Sequence, residues 1–410
     1  METEAGSQRY LLGIWIAMGV LTPLFGFLGA RGFAPGVGLM GLLCLPLLRP
    51  RGSDWIGFGL LAALVAWAAI SMSWSAAPNL AVHSLKDLGR LTPLHMALQL
   101  LLSGAFVVAA GTLRKETADK ALRWLGYGLI ALAVILVIEG LTQAALYQRM
   151  QGILTPKVRP DLAVRNVAVG AYVLAALIWP AGVALQRAGR NLLVLLLAAA
   201  VVFSTVFLRG DSPSLAILVG AIAFVLVLKL GKPAILGLGA LWGAYWLATP
   251  WAMLAMQKVG LWDRIYGHLP ASWNRRMEIW AFTNQRLVED PLTGWGLDAS
   301  RTFPGYIQLH PHDGAVQAWF ELGLPGAVLI AAFFVFLFWR ISRFAGERVF
   351  AATACATATV YLVIGAISFS LWQEWWICLG AFALAACIAL RRSMAPAGAG
   401  LDSGAPVAAA

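Results

Sequence analysis

The side chains best suited to chemistry lie between Met253 and Asp313, where one long polar stretch interrupts a run of apolar segments. That stretch carries Asn274-Arg275-Arg276-Met277-Glu278-Ile279-Trp280, then Asp290-Pro291-Leu292-Thr293-Gly294-Trp295-Gly296, then His310-Pro311-His312-Asp313. Histidine titrates near neutral pH, so a positioned His312 can take a proton from an attacking hydroxyl. Arginine stays charged and grips phosphate oxygens with paired donors. Arg275 and Arg276, together with Arg209 and Arg159, could therefore hold a pyrophosphate and stabilise it as a leaving group, and Arg165 belongs to the same set of cations. These parts suit glycosyl transfer from a lipid-linked sugar pyrophosphate. His310 and His312 are not read as a metal site, because Pro311 constrains the chain between them and no third His or Cys lies near in sequence.

Such groups need a scaffold, and the composition says which kind. Hydrophobic residues make up 60% of the 410 and charged residues 12%, against about 25% charged in an ordinary soluble domain; mean hydropathy is +0.78. An all-α integral membrane protein is expected. A helix needs about 20 apolar residues to cross the hydrocarbon core. Twelve segments approach that length, at approximately 10–29, 33–48, 55–74, 94–111, 125–146, 167–186, 192–208, 214–230, 234–252, 314–339, 349–371 and 372–390. Residues 1–394 are expected to form a single membrane domain whose largest loop spans about 253–313, with a disordered, Ala/Gly/Pro-rich tail over 395–410. Ordering so long a loop costs about 1–2 kcal/mol per residue in backbone entropy, and long ordered loops are usually functional.

The net charge of +11 does not require nucleic acid. If the N-terminus is cytoplasmic, Arg49/Arg51, Arg114/Lys115/Lys120/Arg123, Arg187/Arg190, Lys229/Lys232, Arg340/Arg343/Arg348 and Arg391/Arg392 all fall in cytoplasmic connections, as the positive-inside rule requires. Arg149, Lys157, Arg159, Arg165, Arg209, Arg264, Arg275, Arg276, Arg286 and Arg301 then fall on the outer side, and binding an anion explains them better than topology does. A flippase or anion transporter would also use arginines, but would place charges near mid-membrane and show repeat symmetry. Here the cations gather at one face.

The remaining candidates carry two readings each. Asp313 or His312 is placed to cap the helix that follows, and His310 adjoins them. Glu139, inside the fifth segment, is either functional or a hydrogen-bonded structural group, since a carboxylate in lipid is costly. Glu321 lies nine residues beyond His312, on the opposite face of a regular helix, where it would pin neighbouring helices. Trp372-Gln373-Glu374-Trp375-Trp376 is expected to form an aromatic belt at the interface, with Glu374 a candidate contact for an acceptor sugar. The segment 85–91 could lie along the interface. The four cysteines, all within apolar segments, read as small core residues.

The run His310-Pro311-His312-Asp313-Gly314-Ala315-Val316-Gln317-Ala318-Trp319-Phe320-Glu321-Leu322-Gly323-Leu324-Pro325-Gly326 resembles the His-containing motif of the O-antigen ligase and polymerase superfamily, where a His precedes a helix bearing Glu-x-Gly-x-x-Gly. The Arg275/Arg276-to-Trp280 and Asp290-to-Gly296 segments, and Ser71-Met72-Ser73-Trp74-Ser75, also resemble that superfamily in order and spacing. The resemblance covers roughly residues 55 to 345. It implies a multi-span, GT-C-like fold in the bacterial inner membrane with its active site facing the periplasm, working without metal or cofactor. An undecaprenyl-pyrophosphate-linked glycan would be the donor, and lipid A-core the acceptor in a ligase or another lipid-linked repeat unit in a polymerase. Membrane lipids are the other expected partners. His312 would be the general base, and Arg209 with Arg275 or Arg276 would hold the pyrophosphate. Arg209 follows Leu208 where the superfamily often shows a Ser-Arg pair.

Overall fold

The computed structural model describes residues 2–48, 54–77, 91–154, 159–208 and 210–395. Every regular element among them is helical. In chain order these are α1 (Glu2–Phe27), α2 (Ala30–Cys44), α3 (Asp54–Ser71), α4 (Thr92–Ala110), α5 (Lys115–Leu141), α6 (Ala145–Leu154), α7 (Pro160–Arg187), α8 (Asn191–Phe207), α9 (Asp211–Leu230), α10 (Lys232–Lys258), α11 (Leu261–Ile265), α12 (Ala271–Leu287), α13 (Gly314–Ser342), α14 (Arg348–Ile367) and α15 (Glu374–Met394). Arg209, Lys157, residues 85–90 of the 85–91 segment and residues 396–410 lie outside the described residues.

Each of the twelve expected apolar segments coincides with one helix. By length and composition eight of the described helices can cross a membrane, namely α1, α4, α5, α7, α9, α13, α14 and α15, while α2, α3 and α8 are shorter apolar helices. The protein is an all-α, multi-pass integral membrane protein. In lipid every backbone polar group must be satisfied within the chain, which helices achieve.

Two hydrophobic cores organise the bundle. One joins α1, α2, α4, α5, α7 and α8, where Trp15, Phe33, Phe106 and Leu122 are almost wholly buried. The other joins α3, α10, α13 and α14 around Trp246, Phe338 and Phe350. Helix α10 packs along α13, α9 along α14 and α1 along α5. The large loop is ordered: α10 runs on to Lys258, α11 and α12 follow, and a turn-rich crossing leads to α13.

Two features differ from the sequence expectation. The segment 314–339 is not one regular helix, because α13 breaks at Gly323 (φ 61°, ψ −159°), two residues before Pro325. Proline has no amide to continue the hydrogen-bond ladder and is tolerated at a new helical start. The Trp372 to Trp376 run is not an interfacial belt, since Trp372, Trp375 and Trp376 are all buried. Trp376 stacks on Tyr361 at 4.4 Å between ring centroids, and the Trp372 indole finds a buried carboxylate. Inside the bundle these rings supply packing area and fixed donors.

Candidate active site

Helix α12 forms the first wall. It starts after Pro270, carries the one-turn ion pair Arg275–Glu278 and stops where Asp290 folds back to bond Thr293. At about 100° per residue, Arg275, Glu278, Phe282 and Gln285 share one face, and Arg276, Trp280, Thr283 and Leu287 share the opposite one. The second face looks inward: the Trp280 indole donates to the Pro311 carbonyl at 2.8 Å, and Thr283 and Leu287 are buried. Asn284 ties the helix to α10 by donating to the Pro250 carbonyl at 2.8 Å.

The His loop forms the second wall. Asp313 is the N-cap of α13, its Oδ1 accepting from the Val316 amide at 2.9 Å. The Tyr245 hydroxyl donates to the same oxygen at 2.9 Å and accepts from the Ala315 amide. His312 sits immediately before this cap with φ at 60°. A non-glycine residue in that region costs about 1–3 kcal/mol and persists only where its surroundings hold it. The holders are visible: the His312 amide donates to His310 Nδ1 at 3.1 Å, and His312 Nδ1 lies 3.1 Å from the Ser368 carbonyl.

A carbonyl can only accept, so that contact requires the proton on Nδ1 and leaves the lone pair of His312 on Nε2. His310 has the reverse assignment, because its Nδ1 is the acceptor. The two rings lie 4.1 Å apart. Burial first, then the neighbouring His312, Arg276 and Arg301, push His310 down to about 3. His312 is also lowered from its ordinary value, chiefly by burial and further by Arg276, against the opposing Ser368 bond. Burial raises Asp313 to about 6, against the bonds from Val316 and Tyr245. At neutral pH both imidazoles are therefore uncharged, as a proton acceptor must be.

Glu321 fastens these walls together. It is wholly buried and accepts from the Ser300 hydroxyl (2.5 Å), the Gln317 amide (3.2 Å), the Asp298 backbone amide (3.1 Å) and the Trp372 indole (2.6 Å). One carboxylate thus joins the crossing loop, α13 and the start of α15. Gln317 also donates to Ser370 and accepts from the Leu371 amide, which fixes the segment bearing Ser368.

The glycine motifs meet at the break in α13. The Trp295 amide donates to the Phe320 carbonyl, and the Leu324 amide to the Pro291 carbonyl. Gly323 and Gly294 both have positive φ, and a Cβ on Gly323 would lie 2.4 Å from the Leu292 carbonyl oxygen. Ser71, Trp74 and Ser75 hydrogen-bond to Leu297, Gly294 and Leu297 respectively. Three motifs distant in sequence are therefore one construction.

The cationic candidates divide. Arg276 lies near enough to depress both imidazoles, and its guanidinium sits 5.0 Å from the Trp273 ring centre. Arg275 points the other way, bonded to Glu278 at 2.6 Å. Arg159 is exposed and paired with Asp161 at the start of α7, and Arg165 is exposed on the same helix. Ser212 accepts from the Ser368 hydroxyl at 2.8 Å, on the residue whose carbonyl holds His312. Glu139 lies elsewhere, capping α6 by accepting from the Leu146 and Tyr147 amides at 3.1 and 3.0 Å. Both of its carboxylate oxygens are hydrogen-bonded there.

Tyr245, Ser368 and Arg301 were not singled out for the site in the sequence. Only Arg301 left a trace there, as an outer-side cation. Glu374 is engaged by His95 and Gln99 of α4. No group of three or more His, Cys, Asp or Glu able to hold a metal ion occurs among the described residues.

No protein-family model matches the chain. It is similar to a protein named "Putative polysaccharide ligase" from Rickettsia conorii, at 24% identity over 351 residues, covering 81% of this chain and 80% of that protein. A protein of the same name from Rickettsia felis is 23% identical over 57% of this chain and 60% of its own length, and one from Rickettsia bellii is 30% identical over 29% and 32%. These homologues support a ligase-type function, and they agree with the O-antigen ligase-like family that the chain's own motifs resemble.

Proposed function

We propose that the protein is an O-antigen ligase, transferring a polysaccharide from undecaprenyl pyrophosphate to a sugar hydroxyl of lipid A-core on the periplasmic side of the bacterial inner membrane. The observation that carries this is His312: half-buried, uncharged, strained, and held by the Ser368 carbonyl in the tautomer that leaves Nε2 free. Its relatives' name supplies the reaction class.

In the proposed step the acceptor oxygen forms a bond to the anomeric carbon as the bond from that carbon to the pyrophosphate oxygen breaks. The acceptor proton goes to His312 Nε2. Undecaprenyl pyrophosphate leaves with the electron pair, and a single displacement inverts the anomeric centre. Arg276 and Arg209 are assigned to the leaving group's charge, with Arg159 and Arg165 as further candidate cations for the donor. Fixed positive groups stabilise charge that develops in the transition state without having to reorganise. Asp313, Tyr245 and Glu321 act through position, holding the His loop against α13. No step in this scheme needs a metal.

The test is transfer of a defined undecaprenyl-pyrophosphate glycan to purified lipid A-core by detergent-solubilised protein with EDTA present. Glycosylated lipid A-core is the expected product. Elongation of the lipid-linked glycan without any ligation would make the protein a polymerase.

A further inference from the structure

The outward face of α12, which the proposed chemistry leaves unused, borders an open groove of about 510 Å³. That lies within the range of ligand sites, roughly 300–1,000 Å³. Its lining combines two kinds of surface. Tyr306 is stacked on Phe282, ring centroids 4.1 Å apart and planes within 2°, and remains 59% exposed. Around this flat platform stand Arg275, Glu278, Gln257 and Gln285.

Resting on the transferase reading above, we propose that this groove is a carbohydrate subsite that holds the donor glycan beyond the sugar being transferred. A pyranose ring offers one apolar face of C–H groups and a rim of hydroxyls that both donate and accept. An exposed aromatic plane matches the face, and carboxylate, guanidinium and carboxamide groups match the rim.

The charge balance argues for a glycan over an anion. Arg275 is already neutralised by Glu278, whose carboxyl is held below its usual range by Arg275 first and by the Tyr266 hydroxyl second. An acidic headgroup or phosphate would meet an ionised carboxylate there. Position argues the same way. Arg276, the next residue, faces the imidazoles, so a glycan joined to a pyrophosphate on that side has its continuation one helix-width away. Arg275 thus becomes a glycan contact, and Arg276 the residue toward the pyrophosphate.

The test is calorimetric titration of the full-length protein in detergent with oligosaccharides of graded length, cut from the producing cell's own surface polysaccharide and carrying no lipid or phosphate. Binding is expected, with Tyr306→Ala weakening it by about tenfold, Tyr306→Phe staying close to wild type and Gln285→Ala weakening it by a smaller factor. His312→Ala should bind as wild type does. Equal affinity in wild type, Tyr306→Ala and Gln285→Ala would overturn the proposal, as would displacement of the oligosaccharide by inorganic pyrophosphate. Because this readout needs no catalysis, Tyr306-dependent binding in a protein that transfers nothing would uphold the groove while removing the transferase.

Discussion

At the scale of residues, His312 is set apart by what holds it. Its ring nitrogen facing Ser368 must carry the proton, and its positive φ needs Asp313 and His310 on either side. A histidine with a lowered pKa stays neutral further into acid. The acid limb of kcat/KM should therefore fall below the ordinary histidine value of about 6.5, with activity lost as pH drops through the lowered value; a limb above it would mean His312 is charged at rest. The two adjacent arginines should behave differently. Arg276→Lys replaces a paired donor by a point charge and should lower transfer by about tenfold or more, whereas Arg275→Lys should keep most of the rate with a short-glycan donor. Initial rates at saturating acceptor check both. The sequence yields the pair but not the division, because the two side chains diverge only once α12 exists to rotate them by about 100°.

At the scale of elements, the site is held by a few struts, and Glu321 is the strongest. Its removal would orphan four donors that are buried or half-buried, and each such group costs about 1–3 kcal/mol. Glu321→Ala should lower the melting temperature in detergent markedly, and Glu321→Gln by less, since one acceptor oxygen remains; equal melting of all three proteins would count against the strut. Much of this was readable beforehand. The cap at Asp313 and the pinning role of Glu321 follow from spacing and side-chain type. The rest depends on contacts without a local signature. The partner of His312 is a backbone carbonyl 56 positions away, a group every residue possesses, and Tyr245 reaches Asp313 across 68 positions. The break at Gly323 hides inside an apolar run in which Pro325 is the one visible sign. Burial of Trp375 and Trp376 runs against the general placement of tryptophan at membrane surfaces.

At the scale of the whole molecule, the apolar bundle and the polar loop have separate tasks. The helices satisfy their own backbone in lipid and bury two cores, while α12, the crossing loop and the first turns of α13 bring together groups that lipid alone would exclude. The donor's lipid tail would stay in the bilayer while its pyrophosphate meets Arg276 and its glycan lies toward Tyr306. The most direct measurement compares single-turnover transfer from an undecaprenyl-pyrophosphate glycan to lipid A-core by wild type and His312→Ala. Removing a general base should slow transfer by about 10²–10⁴-fold while binding of the lipid-free oligosaccharide is unchanged. Transfer by His312→Ala at a rate near that of wild type would contradict the account.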